Sequence, residues 1–454
     1  MKDSDIIHVP ISPNPSASTI QSLRLFIDQL LNCILVKAKL HEHDFKLKSI
    51  QQAIERRLDN FQNSPAKMTD SFLERSKRTI VIDRCINNAS SSHDLLTDED
   101  AVKQEVARHF EKAAGTAHEN VAIDDDWLPF YQPLTDIDLT IYDDLMNPPS
   151  ADEWYDHVAH LPNGKTPGPL KISNDMLKHL GPFAKKLLWY IICGCLSTSS
   201  LPHRWNHAFV YPIPKPKPWE YDLNNTRPIT LLECPRKALI KLLNRRLSKI
   251  MVEHNVLKGL NFAGLPFKST FEPLHIIDNI KYDANHNNKD LWILLQDMSK
   301  AYDRVNIFML IRALERLRIP FNFLRFILKM FGNRYNQIFT LFGNTDSYRV
   351  ISGIDQGEII SPLLWCIYYD PLLCRIQDSS HGYSLSHSWK PNVLINETET
   401  TSLKVSALAY MDDTLWIARS HDDLSVIVSI AESFYKLNHI KVNWDKSVLL
   451  INKS

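Results

Sequence analysis

The residues with the clearest chemistry are two adjacent acids, Asp412 and Asp413, set between apolar runs in Val405-Ser-Ala-Leu-Ala-Tyr-Met-Asp-Asp-Thr-Leu-Trp-Ile-Ala418. Both flanks are rich in β-branched, aromatic and small apolar residues, which predicts strand, tight turn, strand with the two acids at the tip. Two like charges ~4 Å apart repel by about 1 kcal/mol in bulk water and by about 4 kcal/mol at a near-surface effective dielectric. A strand tip against a core keeps both only if a cation offsets them, and a hard divalent cation with oxygen ligands meets that need. The plain alternative is an Asp-rich hairpin turn. A third acid, Asp297, ends the apolar run Leu291-Trp-Ile-Leu-Leu-Gln-Asp, which reads as a buried strand. Alone it could equally cap a helix starting at Ser299-Lys-Ala-Tyr-Asp-Arg; beside Asp412 and Asp413 it completes the carboxylates of a two-metal site. Tyr302 stands at the start of that helix, where its ring could wall off a sugar pocket.

Cationic residues suited to phosphate lie elsewhere in the chain. Trp205-Asn-His-Ala-Phe-Val-Tyr-Pro-Ile-Pro-Lys-Pro-Lys-Pro-Trp219 begins as a strand and ends in a stiff basic tip, and an extended run resumes at Asn225-Thr-Arg-Pro-Ile. The resulting finger-like hairpin carries Lys215, Lys217 and Arg227, which could hold the triphosphate of an incoming nucleotide, the arginine by bidentate contact. Any one of them alone reads as a solvated loop residue. The segment from Pro235 to Leu247 predicts an amphipathic helix whose basic face suits either solvent or a nucleic-acid backbone. Ser352-Gly-Ile-Asp-Gln-Gly-Glu-Ile-Ile-Ser-Pro362 opens another helix. Glycines near Gln356 free the backbone there, and Gly357 would let a nucleotide approach closely. Lys446 falls at a turn within the loop and strand of residues 441–451.

At 454 residues, 44% hydrophobic and 23% charged, the chain is an ordinary globular sequence with room for two or three domains. Its zero formal charge hides an uneven distribution: 14 acids against three Lys and Arg over 94–144, but 11 Lys and Arg against four acids over 201–260. The second stretch is a candidate phosphate-binding face. Seven cysteines without a CxxC pair argue against a disulfide framework or a zinc knuckle and for a reducing compartment. The longest apolar candidate, Leu23 to Val36, is broken by Asp28, Gln29 and Asn32, so no membrane association is expected. The N-terminus lacks the pattern of a secretory signal. An intracellular location is expected, with nucleus and cytoplasm both open.

Residues 1–20 read as unstructured, with one or two long helices from Thr19 to about Arg57 and a third from Asp98 to Lys112. Asn147-Pro-Pro-Ser150 reads as a boundary, followed by a long helix from near Ala151. The expected organisation is a helical N-terminal or linker segment over 1–150 and a catalytic domain over 151–454, with its core at about 195–454.

Taken in order, the chain resembles the reverse transcriptases of non-LTR (LINE-like) retrotransposons over roughly 160–451. The matching blocks are the Gly168-Pro turn, Ile213-Pro-Lys-Pro with Arg227-Pro-Ile, Gly264 with Ser269-Thr270, Gln-Asp297-x4-Tyr302-Asp303, Gln356-Gly357-x3-Ser361-Pro362-Leu-Leu, Tyr410-Met-Asp-Asp and Asn443-x2-Lys446. The resemblance implies an α+β right-hand polymerase fold, with fingers and a small antiparallel palm sheet backed by helices. It implies an RNA-directed DNA polymerase acting on an RNA template, a DNA primer and dNTP. Asp297, Asp412 and Asp413 would hold two Mg²⁺ ions, or Mn²⁺ in their place. Lys217 and Arg227 would touch the triphosphate, with Lys215 or Lys217 as the lysine ligand left open. Tyr302 would exclude ribonucleotides, Gln356 and Gly357 would line the nucleotide and template pocket, and Lys446 would be the acid toward the leaving pyrophosphate. Leu170 stands where the family usually has an acid, and His439-Ile-Lys-Val where a Gly-Leu pair is common; neither position bears on the metal chemistry. The resemblance further implies a partial chain without thumb or endonuclease, working with an endonuclease in trans, and residues 70–130 resemble the segment that joins endonuclease to polymerase. The alternative is a decayed or host-retained copy that only grips RNA or RNA/DNA duplex.

Overall fold

The computed structural model describes residues 17–40, 42–63, 80–87, 94–115, 122–215, 217–389 and 399–452. They belong to two compact units, residues 1–78 and 79–454. The described residues of the first form the helices Ala17–Leu40 and Glu42–Asn63, as the apolar spacing predicts. The unstructured reading of the N-terminus falls almost wholly outside the described residues. No described helix is long and apolar enough to cross a membrane.

The second unit is built on two larger sheets. Strands β1 (His207–Pro214) and β2 (Thr226–Leu231) form the antiparallel hairpin expected of the Pro-rich basic segment. Strand β3 (Leu291–Ser299) follows, then β4 (Arg334–Thr340) and β5 (Tyr348–Val350). β1 pairs in parallel with β4, matching His207 to Tyr335, and β4 pairs antiparallel with β5 and with a two-residue strand at Gly343–Asn344. The other sheet adds β6 (Ala407–Tyr410), β7 (Asp413–Ala418) and β8 (Lys441–Asn452) to β3, in the antiparallel order β6-β7-β3-β8. Gln296, Thr414 and Trp416 are fully buried on one of its faces. Behind it lie the helices Ser361–Asp378, whose Trp365, Tyr368 and Tyr369 are buried, and His421–Leu437. This is the α+β architecture expected, a small antiparallel sheet backed by helices and joined to a second sheet that carries the basic hairpin.

Several local readings change. The helix after Asn147-Pro-Pro-Ser150 is short, Ala151–Ala159, and Ser150 caps it by accepting from the Glu153 amide. Asp297 caps no helix: β3 runs on to Ser299, a single 3₁₀ turn spans Tyr302–Arg304, and Asn306 caps the helix Ile307–Arg316 by accepting from the Phe308 and Met309 amides. Three of the cations of the helix Cys234–Glu253 are engaged within the protein. Arg236 is wholly buried, and Arg246 binds the Glu153 carboxylate at 3.1 Å and the carbonyls of Asp144 and Leu145. Arg245 lies 3.6 Å from the same carboxylate. Glu153 is remote in sequence, and no periodicity within the helix could announce it.

The described residues between 80 and 150 belong to the same compact unit as 151–454, with no break in the packing at 150. The helix Glu99–Ala113, capped by Asp98, buries Val102, Val106 and Phe110 against Val210, Ile338, Tyr348 and Val350 of the β1-β4-β5 sheet. Trp127, Tyr131 and Tyr142 join the main core. The Trp127 indole donates to Ser433 Oγ at 3.2 Å, the Arg375 guanidinium lies 4.2 Å from its ring centroid, and Tyr142 donates to the Leu317 carbonyl at 2.8 Å. These aromatics are irregularly spaced in an acidic, Pro-bearing stretch and leave no periodic signature. Trp127→Ala should therefore destabilise the whole 79–454 unit by about 3–5 kcal/mol, read as one shifted transition in urea denaturation followed by far-UV circular dichroism. An unshifted transition would make residues 122–150 a peripheral strap.

Candidate active site

The β6–β7 turn is tighter than two acids at a tip. Tyr410 pairs with Asp413 across a two-residue loop of Met411 and Asp412, so Asp413 already belongs to β7. Met411 has φ 55°, a left-handed conformation that costs a non-glycine residue about 1–3 kcal/mol and that clusters at functional sites. Thr414 pairs with Gln296, and the next step of that register sets Asp413 opposite Asp297. Side chains alternate along a strand, so Asp297 and Asp413 share one face while Gln296 and Thr414 share the other. On that buried face Gln296 Oε1 accepts from the Trp416 indole at 2.9 Å and from Tyr435 at 2.8 Å, and the Tyr369 hydroxyl meets Tyr435 at 3.0 Å. Three aromatic side chains thus fix β3 against β7 one residue away from the acids.

Asp297 has two partners on β8, since its Oδ2 accepts from Asn443 Nδ2 at 3.0 Å and meets Lys446 Nζ at 3.3 Å. Asn443 stands opposite Asp297 and Val448 opposite Leu295, so residues 444–447 bulge out of the ladder. Lys446 reaches the carboxylate from that bulge, where sequence reasoning expected a simple turn. Burial pushes the Asp412 carboxyl upward, and Asp413 and Asp297 add to the rise, while Lys446 opposes it. Loss of hydration and the Asp297 charge push Asp413 up as well, again against Lys446. The three carboxylates therefore feel one another.

By donor type and sign of charge the set fits a hard divalent cation. Among the described residues, no three His, Cys, Asp or Glu side chains converge to ligating distance. Carboxylates that repel, with the Lys446 ammonium as the cation in contact with Asp297, are expected to stay apart. A cation held by all three would take over the role Lys446 has at Asp297 Oδ2.

The basic hairpin lies within electrostatic reach. Lys215 donates through Nζ to the Asn224 carbonyl at 2.8 Å, while Lys217 and Arg227 are exposed. Burial lowers the Lys215 ammonium, and Lys217, Lys300, Lys446 and Arg227 lower it further, so these cations form one positive region beside the acids. Lys300 was missed from sequence because a lone lysine in a turn reads as solvated. Its φ of 54° marks the sharp turn that leads from β3 to Tyr302. Tyr302 is half-buried: its hydroxyl lies 3.4 Å from Met411 Sδ and its ring makes an edge contact with Trp365 at 5.9 Å. It therefore touches both the core and the turn that carries Asp412.

Gln356 donates through Nε2 to Asp303 Oδ1 at 3.2 Å, and its carbonyl accepts from the Thr230 amide at 2.9 Å. A Cβ on Gly357, at φ 133°, would come within 2.6 Å of the Thr230 carbonyl oxygen. The close approach seen at Gly357 is thus that of β2.

A family model described as reverse transcriptase (RNA-dependent DNA polymerase) matches residues 213–454. Among curated proteins, the chain is 23% identical to the transposon TX1 uncharacterized 149 kDa protein of Xenopus laevis over 68% of this chain and 22% of that one. It is 27% identical to the probable RNA-directed DNA polymerase from transposon BS of Drosophila melanogaster, over 50% of this chain and 25% of that one. It is 26% identical to a retrovirus-related Pol polyprotein from type-1 retrotransposable element R2 of Popillia japonica, over 55% of this chain and 32% of that one. The chain thus spans about a third or less of the length of these relatives. Among solved structures, a Candida tropicalis telomerase superposes with a TM-score of 0.39 at 14% identity, over 55% of this chain and 51% of that one.

The carboxylate electrostatics yield a stability test. A carboxyl whose folded pKa lies above its unfolded value is penalised in the fold wherever it is ionised, so at pH 7 removing the charge should stabilise. With chelator present, Asp412→Asn should melt above the parent in calorimetry, and the difference should shrink as pH falls through the raised pKa toward the unfolded value. Millimolar Mg²⁺ should raise the melting temperature of the parent but not of Asp412→Asn/Asp413→Asn. A metal-free Asp412→Asn that melts below the parent would remove the electrostatic argument.

Proposed function

The chain belongs to the reverse transcriptase (RNA-dependent DNA polymerase) family, and we propose that it extends a primer 3′-hydroxyl with deoxynucleotides on an RNA template. The observation that carries this reading is the strand register that pairs Thr414 with Gln296, each one residue from an acid, Asp413 and Asp297, with Asp412 in the adjoining turn. The names of the relatives support a retrotransposon origin, with residues 79–454 as the catalytic unit. Asp297, Asp412 and Asp413 would hold two Mg²⁺ ions, which when bound supply positive charge for ionising the primer hydroxyl and for the leaving oxygens of an in-line displacement. The triphosphate would lie toward Lys217, Arg227 and Lys300, with Lys215 engaged within its own hairpin. Lys446 would donate a proton to the departing pyrophosphate, and Gln356 would line the pocket beside Tyr302.

Two measurements test the reading. Primer extension on an RNA template with dNTPs and Mg²⁺ should be abolished by Asp412→Asn, while affinity for an RNA/DNA duplex stays within about twofold of the parent, since phosphate contacts supply most of that affinity. Duplex binding by a parent chain that adds no nucleotide would instead support a binding module. For Tyr302, the ring beneath the sugar would collide with a 2′-hydroxyl. Tyr302→Val should lower the ratio of kcat/KM for dNTP over rNTP at least tenfold, or about 1.4 kcal/mol of discrimination. If stability and both activities fell together with the ratio unchanged, the contact with Trp365 would be the whole role of this residue.

A further inference from the structure

We infer that Asp303 is a positioning residue whose carboxylate decides which end of the Gln356 side-chain amide faces the nucleotide pocket. The inference rests on the reading of that pocket given above and adds to it a residue and a selectivity.

The segment 352–357 is fastened along 302–305. The Gly353 amide donates to the Val305 carbonyl and the Ile354 amide to the Tyr302 carbonyl, each at 2.9 Å, and Ser352 Oγ lies 3.2 Å from the Asp303 carbonyl oxygen. The approach is close enough to demand glycine: at φ 78°, a Cβ on Gly353 would come within 2.7 Å of the carbonyl oxygens of both Tyr302 and Asp303. Thr230 holds the Gln356 backbone from the other side. With the backbone fixed from two directions, the freedom left to Gln356 is the orientation of its amide, and Asp303 Oδ1 lies 3.2 Å from Nε2.

An ionised carboxylate only accepts hydrogen bonds, so it draws the NH₂ group toward itself and leaves Gln356 Oε1 as an acceptor for the pocket. Asp303 directly follows Tyr302, the residue read as lying beneath the sugar. The ligand group that suits this acceptor is therefore a sugar hydroxyl, and a deoxynucleotide has one, at the 3′ position. A protonated Asp303 has a donor as well as an acceptor, so it no longer dictates the amide orientation, and the NH₂ group is free to turn to the pocket. Lys300 and Arg334 favour the ionised form, Asp355 opposes it, and Arg304 and Tyr348 also lie within electrostatic reach. Burial is the largest influence and pushes the Asp303 carboxyl upward. Selectivity for the hydroxyl should hold above the raised pKa and weaken as pH falls through it.

The test compares the 454-residue parent chain with Asp303→Asn. The first readout is the ratio of kcat/KM for a dNTP over its 3′-deoxy analogue across a pH series. The parent ratio should fall with acidity, and Asp303→Asn should lose about tenfold of it at neutral pH and show no pH dependence. The second readout needs no turnover: the ¹⁵N side-chain amide resonance of Gln356 in the free protein should titrate in the parent and stay fixed in the variant. A parent ratio and a Gln356 resonance both independent of pH would overturn the role of Asp303, whether or not Asp303→Asn folds. A parent that extends no primer would overturn the polymerase reading alone, and the amide resonance would then decide the case of Asp303: titration supports it, and a flat response overturns it.

Discussion

The site depends on a buried ion network at residues 352–358. Arg236 binds Glu358 at 2.9 Å and lies 3.5 Å from Asp355, and Arg334 binds Asp355 at 2.8 Å; all four side chains are almost fully removed from water. Burial pushes the Glu358 carboxyl up, and Arg236 acts against that. Arg334 also donates to the carbonyls of Ser352 and Gly353, at 2.9 and 2.8 Å. Two guanidiniums facing two carboxylates leave no net charge, the condition under which buried ions are tolerated, whereas deleting one partner strands the others at a cost of about 3–5 kcal/mol. A hydrophobic replacement of similar volume could hold the fold as well. What the ions add is direction, because each guanidinium donates along fixed vectors to carbonyls that only one backbone path presents.

That path joins three parts of the molecule. One flank of the 352–357 segment meets Thr230 of β2, and the other runs along Tyr302 and Asp303 just beyond the end of β3. At Ser352 the amide and the hydroxyl both donate to the Ala114 carbonyl, at 3.0 and 2.9 Å, at the end of the helix Glu99–Ala113. Basic hairpin, carboxylate strand and N-terminal helix are thus referred to one another through a few residues. Tyr302, Gln356 and the cations around Lys215 gain a common frame from the network, although none of them belongs to it.

How much of this was legible in the sequence depended on range. Apolar runs rich in β-branched and aromatic residues announced β3, β6 and β7, and the identities of Asp297, Asp412 and Asp413 pointed to cation chemistry before any pairing was known. The acidic first turn after Asp98 and the proline opening the helix after Ser361 were likewise local signals. Partnerships over long separations were not legible. Arg246 looked like a nucleic-acid ligand because Glu153, its partner, is remote in sequence. Trp127 and Tyr142 lay in what reads as a linker because anchoring aromatics in irregular chain carry no period. Lys300 was invisible for a different reason: a lysine acquires meaning only from the charges around it, and those come from β1, β2 and β8.

The strand order has a consequence for how the molecule is made. β3 is central, but its neighbours β7 and β8 are encoded more than a hundred residues downstream. During vectorial synthesis at about 5–20 residues per second, β3 leaves the ribosome on the order of ten seconds before both partners can reach it. In that interval Leu291, Trp292, Ile293, Leu294 and Leu295 form an apolar segment with two unpaired edges, the kind of template on which chains aggregate. Asp297 and Lys289-Asp290 flank it with charge, as gatekeeper residues do. The carboxylate at the centre of the proposed chemistry thus has an earlier task, keeping the nascent strand soluble until the rest of the sheet arrives.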